Sequence, residues 1–192
     1  MKRGRIHFHI HPFAAAGLFL LFAAMPRAYA FAAVSSVLLH EAGHMLAALL
    51  LDKRVTEIRL PVGISIGLSA AASYREEFFI AAAGPFMSLL YAGAAFFWLP
   101  QEVGISACSL SLSLAVLNLL PLKTLDGGRM AGALLSRFFG EEASDRVLYV
   151  TTCACLAVLW MLSLYIFFYS GVNFTLLLFC AYLFSYLIVK KL

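Results

Sequence analysis

Charge is what this chain has least of. Only 12% of its 192 residues are Asp, Glu, Lys or Arg, against about 25% in a soluble domain. With 63% hydrophobic residues, the polar side chains are too few to cover a water-soluble globule. A soluble fold is excluded, and the chain reads as an integral membrane protein. Cysteine is also sparse. Cys108, Cys153, Cys155 and Cys180 all lie in apolar stretches and read as buried thiols. The closest pair, Cys153 and Cys155, lacks C-x-x-C spacing and a nearby histidine, so it makes a weak metal site. No Asp, Glu or His follows Asp145. That argues against a metal-ion carrier, which would spread polar ligands along several spans. Histidine is confined to two places, positions 7, 9 and 11 and positions 40 and 44.

The second of these places organises the rest. His40-Glu41-Ala42-Gly43-His44 lies inside an apolar run over residues 29–51. A carboxylate at the centre of a membrane helix costs about 2.5–3.5 kcal/mol on insertion scales, and such groups usually face a bundle interior and serve a function. Residues four apart share a helix face, so His40 and His44 can both point at one ion. The order H-E-x-x-H is the zinc-hydrolase pattern, with Glu41 beside the metal as general base.

Taken in order, the chain opens with Lys2, Arg3 and Arg5, then His7, His9 and His11 alternating with Phe8 and Ile10. This lead reads as an interfacial segment against the lipid headgroups, with a metal-binding role for the three histidines as the alternative. Membrane spans are expected at about 13–25, 28–51, 78–99, 104–120, 147–169 and 172–189. Between the second and third, residues 57–68 alternate strictly, apolar at even positions and polar, Gly or Pro at odd ones. A period of two argues for a strand or hairpin. Pro61, Gly63 and Gly67 make it an edge strand or one with a bulge, or else an amphipathic surface loop. A short amphipathic surface helix is expected over 130–146. The fold class is thus an all-α polytopic membrane protein of about six transmembrane helices, with a short membrane-associated β-strand or hairpin between spans 2 and 3.

Six spans place both termini on one side. That side would hold every Lys and Arg except Arg27, so the positive-inside rule puts both termini in the cytoplasm. Adding or removing one span would destroy the asymmetry. His44 then lies roughly 12 Å along the helix from the charged end at Asp52. A catalytic zinc takes three protein ligands and keeps a fourth position open. On topology, Asp126 is the best third ligand, at the cytoplasmic end of the fourth span. Its alternative reading is a helix N-cap. Gly127 and Gly128 would let the backbone approach an ion closely.

His40-Glu41-Ala42-Gly43-His44, Ala83-Gly84-Pro85 and the run from Asn118 through Pro121 and Leu125-Asp126-Gly127 together resemble the site-2 protease family of intramembrane zinc metalloproteases. H-E-x-x-H alone is a weak signal, but paired with N-x-x-P-x-x-x-L-D-G in a later span it is strong. The likeness covers residues 8–129. The Ile10-His11-Pro12-Phe13 lead and six-span layout look most like the branch containing the stage IV sporulation protease FB, which cleaves a membrane-associated pro-sigma factor. The resemblance implies one Zn2+ per chain held by His40, His44 and Asp126. It implies that Glu41 activates water and that Asn118 holds the substrate or the oxyanion. It further implies a bacterial cell membrane and a membrane-associated protein substrate, leaves room for an inhibitory membrane partner, and involves no nucleic acid; regulation by a nucleotide-sensing domain would be absent or supplied in trans. Gly84 and Pro85, with Ile64, Ser65 and Ile66 of the alternating stretch, are the candidate substrate-binding residues. The stretch could pair with an unwound substrate by strand addition. The family often carries a polar amide shortly after Gly-Pro, and here Phe86-Met87-Ser88 stands in its place, which leaves the role of Ser88 open. The chain is expected to be a single protease domain over 1–192, with a core at 28–129 and accessory helices at 130–192. Neither a nucleotide-sensing domain nor a PDZ-like insertion is visible. The alternatives are a catalytically silent scaffold and a metal-binding carrier of the same fold. A silent relative would usually have lost Glu41 or a ligand.

Overall fold

The computed structural model describes residues 7–10, 26–53, 55–60, 65–68, 72–171 and 175–191. The span expected at 13–25 lies outside the described residues, as do His11 and Ile64. Three strands are described, β1 (His7–Ile10), β2 (Val55–Leu60) and β3 (Ser65–Leu68). Six helices follow the same chain: α1 (Arg27–Leu50), α2 (Tyr74–Trp98), α3 (Gln101–Asn118), α4 (Asp126–Phe139), α5 (Glu141–Ser170) and α6 (Thr175–Lys191). Among the described residues, three helices, α1, α2 and α5, are long and apolar enough to cross a membrane. The chain divides into two compact units, Met1–Asn118 and Leu119–Leu192.

In the first unit, β1, β2 and β3 form one sheet in that order. β2 and β3 run antiparallel, with Ile58 opposite Ile66 and Arg59 opposite Ser65. β1 lies parallel to β2, with His7 opposite Glu57. The alternation at 7–10 thus belongs to a strand whose partner lies about fifty residues on. A four-residue pattern of period two does not name such a partner. The register irregularity sits between Val55 and Glu57 on β2, rather than at Gly67.

The three helices of this unit pack against one another. Their buried positions are mostly small or polar. On α1 they include Ala32, Ser36, His40, His44 and Ala48, one every four residues. α2 buries Ile80, Ala81, Gly84, Pro85, Ser88, Ala92 and Ala95. α3 buries Gly104, Ala107, Ser111 and Ala115. Large apolar residues such as Phe31, Leu38, Phe79, Phe86 and Phe97 point outward. This is the arrangement that lipid favours, because small residues let helices approach closely where no water drives apolar side chains inward. Hydroxyls tie the helices together. Ser35 Oγ and Tyr91 Oη are 2.7 Å apart, and Ser111 donates to Ser36 over 2.8 Å. α2 runs unbroken through Pro85, although the missing N–H there leaves the Ala81 carbonyl without its usual partner.

α2 begins with a capping box. Ser73 Oγ accepts from Glu76 N over 3.4 Å, while the Ser73 N–H donates to the Glu76 carboxylate over 2.7 Å. Lys53, just beyond α1, pairs with the same carboxylate at 3.0 Å. Replacing Ser73 by Ala should cost about 1 kcal/mol. A thermal melt of the variant in micelles against the native chain reads this, and an unchanged melt would mean the first turn is held by packing alone.

In the second unit, the expected surface helix over 130–146 is divided. α4 starts earlier, at Asp126, and stops at Phe139. Gly140, at φ 83°, breaks it, since a residue with a side chain is strained in that region. The charged residues Glu141, Glu142, Asp145 and Arg146 then belong to the first turns of α5. α5 closes at Gly171, φ 71°, whose N–H reaches the Phe167 carbonyl at 2.8 Å. The connection before α4 is held from within the unit. Leu122 is buried with Leu156 and Leu183, and the Lys123 N–H donates to Thr152 Oγ1 over 3.0 Å.

Candidate functional site

The four-residue stripe of α1 sets His40 and His44 on its buried face, each 4% exposed. Their Nε2 atoms are 3.3 Å apart, and the rings meet edge to face at 4.9 Å between centroids. The far side of each ring is held by α2. His44 Nδ1 lies 2.7 Å from the Ile80 carbonyl. A carbonyl only accepts, so this nitrogen carries the proton and Nε2 of the neutral ring presents a lone pair. His40 Nδ1 lies 2.9 Å from Ser88 Oγ. Between those two holding points sits Gly84. A Cβ there would run into Nε2 and Cε1 of His44 and come within 2.9 Å of His40 Nε2. Glycine therefore leaves open the space in front of both imidazoles.

These features fit a bound metal. Two nitrogens about 2.0–2.1 Å from a tetrahedral zinc stand about 3.3–3.4 Å apart, and the Nε2 atoms are 3.3 Å apart. Metal-binding histidines normally donate the other ring N–H to a carbonyl, carboxylate or water, which fixes ring and tautomer. His44 shows this arrangement with the Ile80 carbonyl.

Glu41 is half-buried on α1, next in sequence to His40. Asn118 closes α3, and its Nδ2 donates to the Leu114 carbonyl at 3.0 Å. A side-chain amide has two N–H donors, so this bond uses one of them. Ser65 and Ile66 lie on β3, opposite Arg59 and Ile58. Gly84 and Pro85 are both buried inside α2.

In the second unit, Asp126 is the first residue of α4 and Leu125 is the N-cap. The N-cap alternative for Asp126 is therefore replaced by a position one residue inside the helix, where a carboxylate suits the positive end of the dipole. Asp126 is 7% exposed, and its Oδ1 is 3.5 Å from Arg129 Nη1. Thr124 Oγ1 is buried with no hydrogen-bond partner among the described residues. The close approach that Gly127 and Gly128 permit is to the chain's own backbone, at Leu119, Leu120 and Leu122.

Sequence reasoning left the role of Ser88 open and missed the Ile80 carbonyl as a site partner. Their signal is the spacing Ile80, Gly84, Ser88, one residue every four, which matches His40 and His44 on the facing helix. A lone serine in an apolar helix carries no such message by itself.

Residues 100–162 match the model of peptidase family M50. The chain is 30% identical over 168 residues to stage IV sporulation protein FB of Bacillus subtilis (strain 168). That alignment takes in 80% of this chain and spans 57% of the relative's length. The fold is similar to the site-2 protease from Methanocaldococcus jannaschii, with a TM-score of 0.68 and 21% identity over 96% of this chain and 90% of that one. Motif, sequence and fold are thus similar to those of the site-2 protease family and of stage IV sporulation protein FB.

Proposed function

We propose that this protein is an intramembrane zinc endopeptidase that cuts a membrane-associated protein. The observation that carries this reading is the pair of buried imidazoles on α1, whose Nε2 atoms stand 3.3 Å apart behind the space that Gly84 leaves open. Asp126 is the third ligand that the motif supplies. Two imidazoles and a carboxylate are a donor set suited to catalytic zinc. Zinc held there would supply Lewis acidity, bringing the pKa of bound water down to about 7. Glu41 takes the proton from the attacking water and returns it to the leaving amine. Asn118, with its second amide N–H, steadies the negative charge that develops on the carbonyl oxygen. Ile80 and Ser88 hold the two rings in place throughout.

A helical substrate must unwind before it is cut. β3 ends the described sheet order, so an unwound segment can add beside Ser65 and Ile66. Six spans with both termini in the cytoplasm complete the reading, supported by the gathering of every Lys and Arg but Arg27 on one side. The sporulation branch suggests a membrane-tethered pro-sigma factor as substrate.

The test is cleavage of such a tethered substrate by the purified chain in proteoliposomes, before and after zinc is removed by a chelator. Cleavage should fall to background on removal and return when zinc is added back. Cleavage that persists in protein verified to be metal-free would sink the proposal.

A further inference from the structure

The two imidazoles are held by unlike partners. His44 faces a backbone carbonyl, which can only accept. His40 faces the Ser88 hydroxyl, which can donate or accept. We propose that Ser88 is a positioning residue that lets His40 change tautomer as metal enters, while His44 is preset. The proposal rests on the zinc reading above.

The geometry forces the difference. With the His44 proton on Nδ1, its Nε2 is a lone pair 3.3 Å from His40 Nε2. Two lone pairs facing each other at that distance repel. In the metal-free protein the repulsion is relieved when His40 carries its proton on Nε2 and donates it to His44. Ser88 then donates its hydroxyl proton to His40 Nδ1. When a cation takes the space between the rings, His40 Nε2 must be a lone pair too. The Nε2 proton passes to solvent and a solvent proton is taken up at Nδ1 during ring motion, so the ring stays neutral and no net proton is released. Nδ1–H now donates to Ser88 Oγ. The Ser88 contact survives both states because a hydroxyl rotates, whereas a carbonyl in its place would leave the metal-free pair of lone pairs unrelieved. Ser88 is fully buried, so no water replaces it.

The test is ring 15N NMR of the native chain in micelles, metal-free and zinc-loaded, with zinc affinity measured by competition with a chromophoric chelator. His44 should show Nδ1–H in both states, and His40 should pass from Nε2–H to Nδ1–H on loading. Ser88→Ala should bind zinc 10–100-fold more weakly, the usual cost of losing such a partner. Ser111→Ala removes an equally buried hydroxyl from the same bundle and should bind as the native chain does. His40 already in the Nδ1–H form without metal, or Ser88→Ala matching native affinity, would overturn the inference. Equal losses in both serine variants would overturn it as well, by assigning the effect to packing. A native chain that takes no zinc would remove the metal reading itself, and this inference with it.

Discussion

Glu41→Gln should abolish proteolysis and leave the zinc content at the native level. Gln matches Glu in shape and has nearly the same helix propensity, so α1 should form unchanged. What it loses is the ability to take a proton from water and hand it on. General acid–base groups contribute about 10²–10⁴-fold to rate, and the loss should be of that order. Glu41 is half-buried and adjacent to His40, but it is outside the proposed ligand set of His40, His44 and Asp126, so metal affinity should not follow activity. Cleavage rates on the tethered substrate and elemental analysis of both proteins would settle the matter. A variant that still cuts within about tenfold of the native rate would remove Glu41 from the chemistry. A variant that lost zinc together with activity would instead make Glu41 part of the metal site. The same substitution separates hydrolysis from transport, because a metal carrier could tolerate Gln there and a hydrolase could not.

The second large effect is expected at Gly84. In an exposed helix interior, exchanging Gly for Ala is favourable by about 0.5–1 kcal/mol. Gly93, on the same helix, should show that gain, because a Cβ there would meet nothing within 4 Å. Gly84→Ala should do the opposite at the site. Its methyl would collide with His44 Nε2 and Cε1 and lie within 2.9 Å of His40 Nε2. Both rings are tied on their far sides, to Ile80 and Ser88, so neither can retreat without breaking a buried hydrogen bond. We therefore expect Gly84→Ala to lose zinc and activity together while α2 stays helical, and Gly93→Ala to keep both and melt higher. Circular dichroism and zinc content on the two variants provide the check. Native zinc content in Gly84→Ala would mean that the rings move apart freely and that the space in front of them is not reserved.

The parts of the protein that could be read from the chain are those written in local spacing. H-E-x-x-H puts two histidines on one helix face because 3.6 residues make a turn, and that needs no knowledge of the neighbours. The alternation at 57–68 is likewise local, and two strands stand within it, β2 ending in it and β3 inside it. The membrane character followed from the scarcity of charge, and it agrees with the matched peptidase segment and three apolar helices of spanning length. Other features escaped because their cause lies elsewhere in the chain. The strand at 7–10 needs β2, the division at Gly140 needs a left-handed backbone, and the bond of Ser88 to His40 spans 48 residues.

By itself, then, the sequence determined which residues could share a face and which side chains are able to carry chemistry. The tertiary structure decided which face is buried, which tautomer His44 must adopt, and why position 84 has no side chain. The physical reason is the solvent. In water, an apolar stripe tells inside from outside. In lipid both faces are apolar, and apart from a few polar groups such as His40 and His44 the inward face is marked by small residues such as Gly84, Ser88, Ala92 and Ala107. These residues carry little pattern of their own until the helices are seen packed together.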